Sequence, residues 1–229
     1  MDTIKNFFTT TEGAWGDGSV KLTTIGIIIV LICIVALVVI PTVTGKKNTE
    51  NQTNLTTKQL TYSAVALALA MVCSMIKFAN LPMGGSCTLC SMLFITLIGY
   101  WFGPYVGLTA GFAYGLLQFI IEPIFYTLPQ MLIDYPLAFG ALGLSGFFAG
   151  KKNGLPIGYL IGVTGRYLFA VISGVIFFGS YAPEGTPALL YSLSYNATYI
   201  VPEAIITLVV LSIPAVTKAL GQIRKNALS

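Results

Sequence analysis

Long apolar runs, separated by short polar or glycine- and proline-containing turns, dominate the chain. The first run spans residues 22–44, and six more follow at about 59–79, 86–103, 105–121, 128–150, 155–180 and 188–217. About 20 apolar residues are enough for an α-helix to cross the hydrocarbon core of a bilayer. The pattern therefore predicts an all-α membrane protein with seven transmembrane helices.

The same pattern predicts how the chain is organised. Residues 1–21 form an extracellular amino-terminal segment, residues 22–44 an additional transmembrane helix, and residues 45–58 a cytoplasmic linker. Residues 59–229 form one six-helix membrane domain. The run at 22–44 is too long for the apolar region of a signal peptide, so we expect it to remain as a span.

Composition supports a membrane protein and excludes several function classes. Hydrophobic residues make up 55% of the chain and charged residues only 9%, whereas soluble domains carry about 25% charged residues. There is no basic stripe for nucleic acid and no histidine for catalysis or metal binding. We interpret the Cys-x-x-Cys pair, Cys87 and Cys90, as small packing residues at the start of a membrane helix. We expect no catalytic centre, metal or cofactor.

The placement of basic residues predicts the orientation in the membrane. With the 45–58 loop inside, eight of the twelve basic residues fall on the cytoplasmic side: Lys46, Lys47, Lys58, Lys151, Lys152, Lys218, Arg224 and Lys225. This distribution satisfies the positive-inside rule. The amino terminus is therefore predicted outside and the carboxyl terminus in the cytoplasm, with the turns near 80–86, 121–128 and 179–187 facing out.

Four ionisable residues lie within or at the end of the predicted spans: Glu122, Asp134, Arg166 and Glu203. Ionisable side chains are costly in a bilayer and commonly mark functional sites. Asp134 lies close to the predicted outer surface, where it could be the counter-ion for a cationic ligand. The alternatives are an Asp134–Arg166 ion pair that only stabilises the bundle, or side chains that snorkel to the membrane surface.

Aromatic residues crowd the same outer half of the protein. Tyr191, Tyr195 and Tyr199 recur every four residues, so they share one helix face, and Asn196 adds a carboxamide. These groups favour a site for a flat, positively charged heteroaromatic molecule. Aromatic rings stack on such a molecule and attract its charge, and the carboxylate and the amide supply polar contacts. The alternative is the aromatic belt that membrane proteins carry at the interface.

Three segments resemble a known family. LPMGGS at 81–86, QMLIDYPLAFGALGLSG at 130–146 and RYLFAVISGVIFFGSYAPEGTPALLYSLSYNATYIVPE at 166–203 resemble the thiamine-specific S components of energy-coupling factor (ECF) transporters. The resemblance covers roughly residues 58–225 and leaves the first span outside it. It implies a six-helix bundle in a bacterial cell membrane that binds thiamine near the extracellular face. It also implies partners, namely a shared transmembrane subunit and two ATPase subunits that drive uptake.

The resemblance also implies site residues. Asp134 and Tyr135 match the family's acid–tyrosine pair near the thiazolium, with aspartate in place of glutamate. Tyr191 and Asn196 match its tyrosine and asparagine on the last helix, and Tyr195 completes the predicted site. Tyr191 is expected to flank the rings and Asn196 to hydrogen-bond the aminopyrimidine.

Other family positions differ here. Phe178 stands where the family has a ring-stacking tryptophan, and Ala170 stands where it has a histidine. The region of Gly84 and Gly85 replaces a second tryptophan. These departures leave open a shifted specificity, so an S component for another vitamin or a thiamine precursor such as a hydroxymethylpyrimidine is the first alternative.

Two further expectations concern energy and partners. The family docks through an Ala-x-x-x-Ala on its first core helix; Ala64 and Ala68 stand at that spacing, and Ala66 and Ala70 repeat it. A second alternative is a self-sufficient secondary carrier or channel, with Glu122, Glu203 and Arg166 as a proton path. An enzyme is not expected.

Overall fold

A computed structural model of the chain describes residues 56–81 and 84–229. It also describes two short antiparallel strands near the amino terminus, β1 (Thr9–Thr10) and β2 (Lys21–Leu22). The predicted additional helix at 22–44 otherwise lies outside the described residues, as do most of the segments before and after it.

Seven helices make up most of the rest of the described chain. They are α1 (Thr57–Met75), α2 (Ser91–Phe102), α3 (Pro104–Ile121), α4 (Leu128–Phe148), α5 (Gly154–Phe177), α6 (Ala188–Ser212) and α7 (Pro214–Leu228). Helices α1, α3, α4, α5 and α6 are long and apolar enough to span a membrane, and α2 is a shorter apolar helix. The predicted six-helix membrane bundle is therefore confirmed for α1–α6.

The largest difference from the predicted elements lies between α1 and α2. Strands β3 (Lys77–Asn80) and β4 (Ser86–Thr88) form an antiparallel hairpin, so α1 ends before residue 79 and α2 begins after residue 86. A short run of apolar residues fits a strand as well as a helix, which is why hydropathy alone missed the hairpin.

Local sequence explains how α1 begins. The Thr56 hydroxyl accepts a hydrogen bond from the backbone N–H of Gln59 (3.2 Å), and the Gln59 side chain accepts one from the Thr56 N–H (3.2 Å). This reciprocal capping box satisfies N–H groups that have no partner inside the helix. The first core helix therefore has a defined start at Thr57.

Helix α4 is not a uniform α-helix. Its consecutive parts are Leu128–Leu132 (α), Ile133–Leu137 (π), Ala138–Gly140 (α) and Ala141–Phe148 (3₁₀). Pro136, inside the π segment, lacks the N–H that an α-helix would use. Single π turns are frequent at functional sites, and this one carries Asp134.

Glycines bring α2, α3 and α4 into direct backbone contact. A Cβ on Gly107 would lie 2.4 Å from the Cα of Gly99, and one on Gly143 would lie 2.2 Å from the backbone nitrogen of Leu108. Only glycine permits two helices to approach so closely. In lipid, where the hydrophobic effect does not drive helices together, such close packing stabilises their association. These contacts pack α2, α3 and α4 into one dense layer.

The last predicted span, 188–217, is divided. Helix α6 ends at Ser212, Ile213 is extended, and Pro214 begins α7, where its missing N–H costs nothing. Helix α7 returns to the end of the bundle opposite the hairpin. There the Arg224 guanidinium lies 4.8 Å from the centre of the Tyr100 ring, and Lys58 donates a hydrogen bond to the Ser229 hydroxyl (3.2 Å).

The three turns predicted to share one side of the membrane lie together at the hairpin end. The N–H of Gly85 in the hairpin donates to the Tyr195 hydroxyl near the start of α6 (3.1 Å). The hydroxyl of Tyr126 before α4 lies 3.3 Å from that of Tyr181 after α5. That this end faces outward remains a prediction.

Candidate functional site

A cavity of about 160 Å³ opens at the hairpin end of the bundle, between α1, the hairpin and helices α3–α6. All six residues predicted to bind a ligand line it: Asp134, Tyr135, Phe178, Tyr191, Tyr195 and Asn196. They come from three different helices, so their meeting is a result of the fold. Their role in binding a ligand stays a prediction.

The carboxylate of Asp134 has an amide partner and, among the described residues, no cationic one. Its Oδ2 accepts a hydrogen bond from the Gln130 side chain (2.6 Å), one turn earlier in α4. Gln130 is fully buried and is itself held, because its side chain also bonds the backbone of Ile124 (3.2 Å) and Tyr126 (3.0 Å). Asp134 is therefore held in a fixed orientation at the cavity wall.

Arg166 does not neutralise Asp134. Within residues 56–81 and 84–229 the only ion pair joins Lys77 and Glu122, so the alternative of an Asp134–Arg166 pair is wrong. The Arg166 guanidinium lies 4.3 Å from the centre of the Phe139 ring, a cation–π contact, and also lines the cavity. The cavity thus has a carboxylate and a guanidinium that are not paired with each other.

The tyrosines of α6 form one continuous face, as predicted. The ring centres of Tyr191 and Tyr195 are 6.0 Å apart and stacked, and those of Tyr195 and Tyr199 are 5.9 Å apart and edge-on. All three rings line the cavity. Tyr199 was not among the predicted ligand residues, although its spacing from Tyr195 places it on the same face.

The Asn196 amide is largely engaged by the protein itself. It is 4% exposed, and its Nδ2 donates to the carbonyl oxygen of Ser192 (2.9 Å) and of Ala170 (3.3 Å). Its Oδ1 accepts a hydrogen bond from the Tyr199 hydroxyl (2.6 Å). This network ties α5 to α6 and presents Tyr199 and Asn196 as one unit.

Tyr135 supplies a ring to the cavity and uses its hydroxyl elsewhere. The hydroxyl donates to the carbonyl of Glu122 (2.8 Å) and accepts from the N–H of Ile124 (2.9 Å). The ring meets that of Phe119 edge-on at 5.1 Å. Tyr135 therefore fastens the α3–α4 turn beside the cavity.

Phe178 lies among aromatic rings at the end of α5. Its ring meets Tyr126 edge-on at 5.1 Å and Tyr181 at 6.3 Å. The hydrogen bond between Tyr126 and Tyr181 raises the pKa of Tyr126, and burial adds to that shift. A tyrosine whose pKa is raised is neutral near pH 7, so Tyr126 adds flat apolar surface without charge.

Sequence reasoning missed several polar residues of the cavity wall. Gln130 precedes Asp134 by one helical turn, a spacing that could have indicated their contact. Gln118 donates to the Tyr114 hydroxyl (2.6 Å), and Tyr114 donates in turn to the Ala70 carbonyl (3.2 Å). No local sequence signal indicates this second network, because it joins α3 to α1.

The structure distinguishes the two alanine pairs of α1. Ala64 and Ala68 are exposed on the outer surface of the bundle, whereas Ala66 and Ala70 are buried in its core. Only the first pair is therefore accessible to another protein. Its use for docking stays a prediction.

The Cys-x-x-Cys pair is buried. Cys87 lies in β4 and Cys90 is the residue before α2, and both are free thiols. In the part of the chain that the structure describes, no group of three or more His, Cys, Asp or Glu residues could hold a metal ion.

The described residues form five membrane-length helices and a shorter sixth around a cavity with aromatic walls and a carboxylate. This arrangement defines a membrane protein with a small-molecule site. Residues 60–221 match the family described as Thiamine transporter protein (Thia_YuaJ). The chain belongs to this family.

Individual relatives agree with the family match. The chain is 44% identical to the thiamine transporter ThiT of Bacillus subtilis over 163 residues, which cover 65% of this chain and 83% of the relative. It is 33% identical to ThiT of Lacticaseibacillus paracasei over 121 residues, 45% of this chain and 60% of that one.

A solved structure of ThiT from Listeria monocytogenes is similar in fold. It is 25% identical, with a TM-score of 0.62, and the match covers 72% of this chain and 96% of the other. The predicted helical-bundle fold therefore has a counterpart among solved structures.

Proposed function

We propose that this chain is the thiamine-binding S component of an ECF-type transporter. The observation that carries the proposal is the cavity of a thiamine-transporter family member, in which a carboxylate that forms no ion pair with any described residue meets several aromatic rings. Thiamine combines a cationic thiazolium with a flat aminopyrimidine, so both features of the cavity have a counterpart in the ligand.

Each predicted residue has a physical role in this proposal. Asp134 faces the thiazolium, because the attraction between opposite charges is much stronger in a site shielded from water than in solution. Phe178 and Tyr191 flank the rings, where aromatic faces attract a flat cation. Asn196, oriented by Tyr199, hydrogen-bonds the aminopyrimidine after its internal hydrogen bonds rearrange.

Energy for uptake comes from partner subunits in this proposal. The sequence has no nucleotide-binding loop, so a transmembrane subunit and two ATPase subunits supply ATP hydrolysis. Ala64 and Ala68 form the docking surface on α1, which is consistent with their exposure. Small residues allow another helix to approach closely.

The proposed orientation places the cavity outside. Basic side chains gather at the opposite end, on α7 and at the turn that carries Lys151 and Lys152, which the positive-inside rule assigns to the cytoplasm. With residues 22–44 as an additional span, residues 1–21 are extracellular and residues 45–58 are cytoplasmic. The protein is then a multi-pass protein of a bacterial cell membrane.

A binding titration tests the ligand. Purified protein in detergent should release heat on titration with thiamine and saturate at micromolar concentration or below. Competition with other vitamins and with a hydroxymethylpyrimidine then tests the first alternative. Absence of binding at micromolar thiamine, or stronger binding of another compound, contradicts the assignment.

The Asp134→Asn substitution tests the counter-ion role. Hydrogen bonds to charged groups contribute about 1.5–3 kcal/mol, so thiamine affinity should fall about 10- to 100-fold. A neutral pyrimidine should lose much less. Glu184→Gln removes a carboxylate from the exposed α5–α6 turn and serves as the control without effect. Equal losses for both ligands would rule out the counter-ion role.

A transport assay distinguishes an S component from a secondary carrier. We expect the chain to co-purify with ATPase subunits and to require them for uptake into proteoliposomes. Uptake by the chain alone, driven by an ion gradient, would contradict the proposal and favour the carrier.

A further inference from the structure

Glu203 is a buried carboxylate outside the cavity wall. It lies on α6 about two turns after Asn196 and is 1% exposed. Its Oε2 accepts from the Thr88 hydroxyl (2.7 Å), and its Oε1 accepts from the Ser91 hydroxyl (3.0 Å) and the Met92 N–H (3.1 Å). No described residue forms an ion pair with it.

A buried carboxylate without a cation persists only where hydrogen bonds and dipoles replace water. Here the positive end of a helix provides them. The residue before α2 is Cys90, which has a left-handed backbone (φ 55°) and makes no side-chain capping hydrogen bond. Glu203 therefore caps α2 from another helix, bonding a free N–H of its first turn and facing the positive end of its dipole.

The same carboxylate holds the hairpin that borders the cavity. Thr88 ends β4, and both Thr88 and Ser91 line the cavity. The hairpin has a second attachment to α6, because the Gly85 N–H donates to the Tyr195 hydroxyl (3.1 Å). Glu203 thus secures the base of the hairpin, and Tyr195 secures its tip.

We propose that Glu203 is a positioning residue that holds the β3–β4 hairpin against the cavity and thereby slows release of the bound ligand. It acts through Thr88 and Ser91 and does not touch the ligand. Taking thiamine as the ligand rests on the proposed function, whereas the attachment of the hairpin does not.

The Glu203→Gln substitution tests this role while preserving shape. Glutamine can still bond the Met92 N–H and the rotatable hydroxyls, but it lacks the charge that faces the end of α2. We expect hydrogen exchange of residues 77–92 to rise about tenfold in protein without ligand. We expect thiamine to dissociate about tenfold faster, with its association rate nearly unchanged.

Ser145→Ala is the matched control. It removes another buried hydrogen bond, from Ser145 to the Thr96 carbonyl of α2 (2.7 Å), within the layer of α2, α3 and α4. It should lower thermal stability without changing exchange of the hairpin or thiamine dissociation. If Glu203→Gln only lowers stability in the same way, the positioning role is refuted.

Thr88→Val provides an independent variant if Glu203→Gln does not fold. It removes the hydroxyl partner and should raise exchange of the hairpin and thiamine dissociation in the same direction. Where both variants fold, the double variant should show less than the sum of the two effects, because both weaken the same Thr88–Glu203 contact. Unchanged hairpin exchange in Thr88→Val would overturn the inference.

If the unmodified protein does not bind thiamine, the proposed function fails, yet the exchange experiment still decides the role of Glu203.

Discussion

The hairpin end of the bundle and the layer formed by α2, α3 and α4 use different side chains at their helix contacts. In the layer, Gly99, Gly107 and Gly143 let backbones touch. At the hairpin end, aromatic rings and polar side chains line a cavity that remains between the helices. Side-chain size sets the distance between packed helices. One small bundle can therefore combine closely packed helices with a ligand-sized space.

The two regions also differ in how their polar groups are satisfied. In the dense layer, Ser145 bonds a backbone carbonyl and is completely buried. In the cavity, Asp134 and Arg166 are not paired with each other, and each meets a neutral neighbour. Unpaired opposite charges around a cavity are suited to a polar ligand, whereas satisfied hydroxyls in a packed layer add stability alone.

The largest effect should come from Gly143→Ala. The new Cβ would lie 2.2 Å from the backbone nitrogen of Leu108, so α3 and α4 must separate. Overpacking of this kind costs about 1–3 kcal/mol and sometimes more, which thermal unfolding in detergent measures. The folded fraction should still bind thiamine normally.

Gly221→Ala is the matched control, because no heavy atom lies within 4 Å of the new methyl group in α7. Alanine is the better helix former, so this variant should be no less stable than the unmodified protein. Equal unfolding temperatures for the two variants would disprove the dense packing of the α2–α3–α4 layer.

A smaller effect, on binding as well as on stability, is expected for Tyr199→Phe. It removes the hydroxyl that donates to Asn196 Oδ1 at 2.6 Å, so the Asn196 amide is no longer held in one orientation. A neutral hydrogen bond contributes about 0.5–1.5 kcal/mol, so thiamine affinity should fall about 2- to 10-fold.

Tyr167→Phe controls for loss of a phenol, because its hydroxyl donates to the Leu193 carbonyl (2.9 Å) away from the cavity wall. It should leave thiamine affinity unchanged while altering stability by a similar amount. If both variants bind thiamine equally well, Tyr199 has no role in orienting Asn196.

The smallest effect is expected for Lys77→Gln. It breaks the ion pair with Glu122 between the hairpin and the end of α3, where the carboxylate is 52% exposed. Exposed pairs contribute about 0–1 kcal/mol, so thiamine dissociation at low salt should rise by less than about fivefold.

Salt provides the control for the ion pair. The effect of Lys77→Gln should disappear at high ionic strength, where exposed charges are screened. Lys151→Gln, at the opposite end of the bundle, should have no effect on dissociation at any salt concentration. Faster thiamine dissociation from Lys77→Gln that persists in high salt would show that Lys77 does more than form a surface ion pair.

The sequence alone was sufficient for much of the fold and for part of the site. The hydrocarbon thickness imposes a minimum length on each span, so apolar runs revealed the core helices α1–α6 without knowledge of their contacts. The cost of an ionisable group in lipid singled out Asp134. A spacing of four residues placed Tyr191, Tyr195 and Tyr199 on one face, because the α-helix has 3.6 residues per turn.

The tertiary structure decided what depends on distances between helices. A short run of apolar residues fits a strand as well as a helix. Hydropathy alone therefore could not distinguish the β3–β4 hairpin, which packs against α6, from a continued span. Likewise, no spacing rule indicates that Arg166 contacts Phe139 and not Asp134, or that Glu203 caps α2. Local patterns determine the elements and the faces of each helix, whereas contacts across helices follow from glycine packing and hydrogen bonding in the assembled bundle.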